Sequence, residues 1–396
     1  LTSALPATTH RDLLGPAEVR TLDAAAARPG APDLWLYRYA DTESGWRLSI
    51  ATHAAPGSGR LSLGGFRIAP KSRTALAGYD NDREAIGLAV GMEEKVYWSR
   101  VLRVGGPLVR ANLDRIVGGK CVLRPTDDAR VGRPRDAALL DWAVACLRDC
   151  DATGGIHVTT GQDLGHGTMS DGATSSLSYL HARFEGSVLA DTSRPTAEGN
   201  YQLLRGMLEA AEVPLESARV GLIGAGNIGR HVLARLREHG TQVHALELEE
   251  RVRASLAAAG VEAWPVERKV AFLAEPFDAV VVNASGGSLD APAVAALAAN
   301  PRVRVVCGSE NLAMPDPAGE RALLAAGKVY APTELGGMMG YLTAAEESLA
   351  RRSGVPFDRG TLLTAAERLR VVGREAMGRV VAGGYQETFQ EAAGVL

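Results

Sequence analysis

Gly224-Ala225-Gly226-Asn227-Ile228-Gly229 places three glycines at the spacing that lets a backbone close around a phosphate group. The preceding residues, Arg219 to Ile223, read as a buried strand, and Asn227 onward reads as a helix. The N–H groups at the positive end of that helix therefore face a bound anion. Gly224 permits the tight turn, Gly226 lets the backbone approach the phosphates, and Gly229 allows close helix–strand packing. The next strand, Val243 to Leu246, ends at Glu247, 23 positions after Gly224. A carboxylate there can accept both hydroxyls of a ribose while repelling a 2′-phosphate. Together these residues predict a dinucleotide site, with NAD favoured over NADP; Arg251 and Arg253 keep the phosphorylated cofactor open.

Two further segments carry residues able to move protons. Val117-Gly118-Gly119-Lys120-Cys121-Val122-Leu123 delivers a lysine at the start of an apolar strand. With its stem buried, such a lysine can have its pKa lowered toward neutrality and act on water or a carbinolamine. Taken alone, a surface lysine after a turn is the plainer reading. Thr160-Gly161-Gln162-Asp163-Leu164-Gly165 sets an acid in a glycine-punctuated loop after the strand Ile156 to Thr159, where Asp is usually a turn or cap residue.

The elements that position these residues divide the chain in two. Up to about residue 190 it reads as mixed α and β. Trp35 to Tyr39, Trp46 to Thr52 and Leu61 to Ile68 alternate like strands, and Asp82 to Val104 and Arg135 to Cys150 carry apolar residues at helical spacing. From Tyr201 strand and helix alternate: Val220 to Ile223, a helix from Ile228 to His239, Val243 to Leu246, Ala279 to Val282, Val303 to Cys307 and Val329 to Ala331. Buried strands separated by helices predict a parallel, doubly wound Rossmann sheet. The expected organisation is an α/β protein. An α+β substrate-binding and oligomerisation domain spans residues 1–195, a Rossmann domain spans 196–340, and the helices of 341–396 pack back on the first domain.

Composition narrows the partners. At 396 residues the chain exceeds the roughly 250–300 at which one core stops growing, so two domains and a cleft are expected. The net charge of −3 offers no general attraction for nucleic acid or an anionic membrane, which favours a small-molecule partner. No apolar run reaches the roughly 18–20 residues of a membrane span, and the opening LTSALPATTHRDLLG lacks the pattern of an export signal. Cys121, Cys146, Cys150 and Cys307 form no CxxC pair, and there is no HExxH or Cys/His cluster, so a reduced, cytoplasmic protein without a metal is expected.

Taken in order, the segments resemble the glutamate, leucine, phenylalanine and valine dehydrogenase family from about Leu61 to Gly340. The matching elements are Leu63-Gly64-Gly65-Phe66-Arg67, Gly91-Met92-Glu93-Glu94-Lys95, Gly118-Gly119-Lys120, Thr160-Gly161-Gln162-Asp163 and Pro195-Thr196-Ala197. The nucleotide fingerprint, Gly308-Ser309-Glu310-Asn311 and Tyr330-Ala331-Pro332 follow. The resemblance implies that Lys95 holds the substrate carboxylate, that Lys120 activates the water that attacks an imine, and that Asp163 shuttles protons as a carbinolamine forms and breaks down. It also implies that Gly65 and Met92 border the substrate, that Thr196 and Asn311 contact nicotinamide or substrate, and that Ala284, Ser285 and Gly286 line the cofactor. The expected reaction is reversible oxidative deamination of an L-amino acid to its 2-keto acid and ammonia, in a homo-oligomer.

Two departures from the family pattern bear on the substrate. Lys95 and Lys120 are 25 positions apart, about twice the family's spacing. In a second alignment Arg110 therefore takes the carboxylate, since a guanidinium fork matches it well. The segment after the last strand reads Glu334-Leu335-Gly336-Gly337-Met338-Met339 in place of the family's Asn-Ala-Gly-Gly. Met92, Gly161, Leu335 and Met338, with Trp98, point to an apolar or aromatic substrate, with specialised biosynthesis a further option; each is also an ordinary core residue. The competing functions are an NAD-binding sensor or scaffold whose catalysis has drifted, and a Rossmann dehydrogenase of hydroxy acids that would use a histidine such as His157, His166 or His181.

Overall fold

Strands in which residues alternate between two apolar faces need a layer on each side, and the first half of the chain supplies both. The computed structural model describes residues 5–23, 26 and 32–396. The first four residues of the stretch inspected for an export signal lie outside these. One compact unit comprises Leu1–Val96, Ala111–Asp191 and Ala344–Phe357, and a second comprises Tyr97–Arg110, Thr192–Thr343 and Asp358–Leu396.

The sheet of the first unit contains β1 (Thr9–Leu14), β2 (Trp35–Asp41), β3 (Arg47–Thr52), β4 (Leu61–Leu63), β5 (Phe66–Ile68), β6 (Ile116–Arg124) and β7 (His157–Val158). Its order is β1-β2-β3-β6-β4-β7, with β5 also on β6. β1, β2, β3 and β6 run antiparallel to their neighbours, whereas β4 and β5 run parallel to β6 and β7 parallel to β4. On one face Tyr37, Tyr39, Leu48, Ile50, Cys121 and Leu123 pack under the helix Asp136–Gly154. On the other, Leu36, Ala51 and Val122 meet Ala85, Ile86 and Ala89 of the helix Asn81–Leu102.

The expected single strand Leu61 to Ile68 is interrupted at Gly64-Gly65, yet the register across the break is kept, with Leu61 opposite Ile116 and Phe66 opposite Cys121. The cause is steric. A Cβ on Gly64 would lie 1.8 Å from the Gly119 carbonyl oxygen, so the chain can press onto β6 here only without a side chain. β6 is also longer than the sequence indicated: it begins at Ile116, which puts Lys120 in the middle of a central buried strand.

The second unit holds β8 (Arg219–Ile223), β9 (Gln242–Leu246), β10 (Glu262–Trp264), β11 (Ala279–Val282), β12 (Val305–Gly308) and β13 (Val329–Tyr330). All pair in parallel, in the order β10-β9-β8-β11-β12-β13. Chain order reverses between β8 and β11, and in such sheets the crevice at the carboxyl ends of those two strands is where ligands bind. The expected doubly wound sheet is therefore present.

The carboxyl-terminal helices depart from the expectation that they all return to the first domain. Only Ala344–Phe357 clusters there. The helix Arg359–Ala382 lies along Ser193–Ala210 in the second unit, where Gly206 and Gly373 have no room for side chains: a Cβ would stand 2.0 Å from the Arg370 carbonyl oxygen and 2.5 Å from that of Leu203, respectively. Two helix backbones that close are held by this contact, and Arg370 Nε adds a hydrogen bond to Glu209 Oε1 at 2.7 Å. Among the described residues no helix is long and apolar enough to cross a membrane.

Candidate active site

On β6 alternate side chains share a face, so Lys120 points the same way as Gly118 and Val122, toward the helix Asn81–Leu102. That helix is tied to the strand at both ends of the contact. Asn81 Nδ2 donates to the Val122 carbonyl at 2.9 Å, and the Gly118 N–H donates to Glu93 Oε2 at 2.6 Å. Lys120 Nζ pairs with Asp163 Oδ2. Arg67, on β5, binds the same carboxylate, with Nε to Oδ2 at 3.3 Å and Nη2 to Oδ1 at 3.2 Å. Its Nη1 donates to Glu84 Oε1 at 2.6 Å, and Glu84 also accepts from Arg73 Nη2 at 3.2 Å.

These groups are out of water: the side chains of Arg67 and Lys120 are 3% exposed and that of Asp163 10%. Burial pulls the Lys120 ammonium below its ordinary value; Asp163 opposes that shift, and the Arg67 charge adds to it. Burial also disfavours the Asp163 carboxylate, but the Arg67 and Lys120 charges and their hydrogen bonds outweigh it and hold the group well below the usual carboxylate range. The result is an ionised acid in direct contact with an amine whose proton is loosened. This arrangement can take a proton from, and return it to, a group placed beside it.

Gly65 supplies the space. A Cβ on it would sit 2.8 Å from Lys120 Nζ and 3.3 Å from Asp163 Cβ, so any side chain here would displace the lysine's amine. The loop bearing Asp163 is fixed to β5 by hydrogen bonds from Phe66 N to the Gly161 carbonyl and from Ile68 N to that of Leu164, at 2.9 and 3.0 Å. His166 is locked in the same loop: its Nε2 donates to the Phe66 carbonyl at 2.7 Å and its Nδ1 faces the Ser176 hydroxyl at 2.9 Å. Burial lowers its pKa, and both ring nitrogens are engaged within the first unit.

The structure divides the remaining substrate candidates. Lys95 and Met92 are each 5% exposed on the helix that covers Lys120, and the backbone at Met92 and Glu93 presses against Gly118. Being three residues apart on a helix, Met92 and Lys95 share a face. Arg110 lies exposed on the short helix Pro107–Ala111 and clusters with the second unit, as do the buried Trp98, Leu335 and Met338. Gly161 is buried against Val188 in the first unit.

In the second unit the glycine loop has the geometry that its spacing predicts. Gly224 has φ +84°, and a Cβ there would meet Ala284 N at 2.9 Å. A Cβ on Gly229 would lie 2.0 Å from the Gly224 carbonyl oxygen, while nothing stands within 4 Å of one on Gly226. Gly226 is therefore open to a ligand. Asn227 is exposed and Ile228 half-buried ahead of the helix Gly229–Glu238, whose amino end has no side-chain cap. Glu247, 7% exposed, accepts the Ala225 N–H on Oε2 at 2.7 Å and the Glu249 N–H on Oε1 at 2.9 Å, which ties the end of β9 to the glycine loop. Arg253 Nη1 is bound to the carbonyls of Glu247 and Leu248 at 2.8 and 2.5 Å.

Across the crevice, Ala284 and Ser285 are exposed and Gly286 half-buried at the exit of β11. Thr196 is buried, and its hydroxyl donates to the Thr192 carbonyl at 2.6 Å; Asn311 is half-buried just beyond β12. At the end of β11, Asn283 Oδ1 accepts from Asn200 Nδ2 and the Ser309 hydroxyl, and its Nδ2 has no partner among the described residues. A buried donor left open is rare unless a ligand or water completes it. The open Gly226, the uncapped helix end and this donor together fit a dinucleotide.

Arg67, Glu93 and Glu310 stand in the matching segments without an expected role, and Glu84 stands in none of them. The available signal was an arginine two residues beyond a glycine pair inside an apolar strand, where a charge survives only if paired. No family model matches the chain. It is 26% identical over 324 residues to valine dehydrogenase of Streptomyces virginiae, covering 81% of each chain. Among solved structures it resembles L-tryptophan dehydrogenase from Nostoc punctiforme, with a TM-score of 0.57 and 17% identity over 88% of this chain and 90% of that one. It also resembles the hetero-hexameric glutamate dehydrogenase from Thermus thermophilus in its leucine-bound form, with a TM-score of 0.63 and 15% identity over 98% of this chain and 87% of that one.

Proposed function

We propose that this chain, which belongs to the amino acid dehydrogenase family, oxidises an apolar or aromatic L-amino acid with NAD to the 2-keto acid and ammonia, and runs the reverse amination. It is an oxidoreductase acting on CH–NH2 with a nicotinamide cofactor. The observation that carries the residue roles is the buried cluster of Lys120, Asp163 and Arg67 over the Gly65 floor.

Gly224, Gly226, Asn227, Ile228, Gly229 and Glu247 would hold the dinucleotide, with Ala284, Ser285, Gly286, Thr196 and Asn311 toward its nicotinamide end. When bound, the nicotinamide accepts the hydride that leaves the substrate α-carbon. In our reading Lys95 holds the substrate carboxylate, which fixes the α-carbon in one place. Lys120, with its lowered proton affinity, takes the proton from the water that attacks the imine carbon and stabilises the oxygen as the carbinolamine forms. Asp163 relays that proton from Lys120 to the amine nitrogen; as the C–N bond breaks and ammonia leaves, Lys120, again neutral, takes the remaining proton of the carbinolamine hydroxyl, so that the keto oxygen forms. Arg67 keeps Asp163 ionised between transfers.

The anchoring of Arg253 on main-chain carbonyls supports NAD, since it withdraws one of the two cations that could greet a 2′-phosphate. The valine and tryptophan named for its relatives, and the buried Met92 on the same helix face as Lys95, support an apolar or aromatic substrate. The free thiols, all buried, support a reducing, cytoplasmic setting, and the hetero-hexameric assembly of the Thermus thermophilus enzyme supports an oligomer, which we take to be of one kind of chain. The test is NADH consumption with ammonia and a panel of 2-keto acids from aliphatic to indole-bearing. Turnover on one member, lost in Lys120→Ala and Asp163→Asn, is expected; NADH binding without turnover on the whole panel would point instead to an unusual substrate or a sensor.

A further inference from the structure

The turn that leaves β11 is built around a carboxylate. Ala284 N donates to Glu310 Oε2 at 2.9 Å, Ser288 N to Oε1 at 2.9 Å, and the Ser288 hydroxyl to Oε2 at 2.7 Å. Between them the chain passes through Gly286 at φ +124° and Gly287 at φ +75°. A run of N–H groups curled inward in this way is an anion nest. Here the anion is the protein's own, on a residue 2% exposed. The same stretch is laced to the segment after Glu310 by Gly287 N to the Leu312 carbonyl and Leu289 N to that of Ala313, both 2.9 Å. The Glu310 N–H itself donates to the Val282 carbonyl at 3.2 Å, which keeps its side chain under the turn.

The turn abuts the glycine loop, since Ala284 N is the atom a Cβ on Gly224 would meet at 2.9 Å. It therefore forms the β11 wall of the crevice where strand order reverses. With Glu247 at the end of β9 placed for the adenosine ribose and the glycine loop of β8 for the pyrophosphate, the β11 wall faces what remains, the nicotinamide half. We propose that Glu310 is a positioning residue of the cofactor site: its carboxylate fills the nest of Ala284–Ser288 and presents that turn to the nicotinamide half in a single conformation. This rests on the dinucleotide reading of the second unit.

The experiment compares NADH and AMP binding by titration in the wild type and in Glu310→Ala, with and without acetate. AMP reports the adenosine half alone, and acetate replaces the atoms the substitution removes. Loss of charge-assisted hydrogen bonds should weaken NADH about tenfold or more, leave AMP within about twofold, and be recovered in part by acetate. Unchanged NADH affinity, or a parallel loss of NADH and AMP, would overturn the proposal; the second outcome would mark Glu310 as a support of the whole sheet. If Glu310→Ala does not fold, Glu310→Gln keeps the volume without the charge and gives the same comparison without acetate. A wild type that binds AMP and NADH supports the dinucleotide reading whatever the variants do, and one that binds neither removes both.

Discussion

Gly65 lies directly beneath the Lys120 ammonium, so close that a single added methyl would sit 2.8 Å from Nζ. Gly65→Ala must push the lysine off Asp163, because Nζ is the movable end of the contact while the Asp163 backbone is pinned to β5. A displacement of about 1 Å at a reacting group costs on the order of 10²-fold in rate. We expect kcat to fall by about that factor and the melting temperature to fall as well, because the buried pair is disturbed; steady-state kinetics beside a thermal melt measures both, and a fully active Gly65→Ala variant would remove Lys120 from the reaction.

Asp163→Asn has a distinctive signature in the pH profile. The Asp163 charge raises the proton affinity of Lys120 against burial and Arg67. Without it the lysine loses its proton more readily, so the limb of the rate profile that reports Lys120 should move to lower pH, on top of a loss of about 10²–10⁴-fold in kcat for the missing acid–base group. A limb that stays in place or moves to higher pH contradicts the assignment.

The same carboxylate has a consequence for stability. Its folded pKa is depressed, so its contribution is fully present above the ordinary, unfolded carboxylate pKa of about 4 and is lost as pH falls through the much lower folded value. Denaturant melts of wild type should therefore lose stability steadily below about pH 4 through this group, whereas Asp163→Asn should lack that component and show a shallower acid dependence.

Arg67 stands between two buried carboxylates, Asp163 and Glu84. Arg67→Met leaves both without their main partner and should cost about 3–5 kcal/mol, whereas the double variant Arg67→Met/Glu84→Leu should recover part of that loss, since an unpaired buried charge is worse than none. Equilibrium unfolding of the three proteins reads the difference; additive losses would mean that the pair is not coupled.

Gly226 separates a folding role from a binding role. Because no protein atom lies within 4 Å of a Cβ placed there, Gly226→Ala should fold as the wild type does. The methyl would instead occupy the approach to the pyrophosphate, and NADH affinity should drop by about tenfold or more with the melting temperature unchanged. Gly224→Ala, at φ +84° and 2.9 Å from Ala284 N, should lower both.

What could be read from the chain itself was local. The strand, glycine turn, helix and terminal Glu247 of the nucleotide loop lie within 29 consecutive residues from Arg219, and each is encoded by side-chain size and period. Lys120 and Asp163 were legible as residue types in the order of a known family. Their contact was not, and nor was the hand-over from Asp163 to Arg67 across 96 positions or from Arg67 to Glu84 across 17. Charge pairing in a dry interior is decided only when β5, β6 and the Asp163 loop meet, because the cost of burying each group depends on where its partner arrives. The same holds for the nest of Ala284–Ser288. Its glycines could be seen in advance, but the carboxylate that fills it comes from just beyond the next strand of the sheet, and the helix Arg359–Ala382 reached Ser193–Ala210 because two glycines on facing helices let the backbones close.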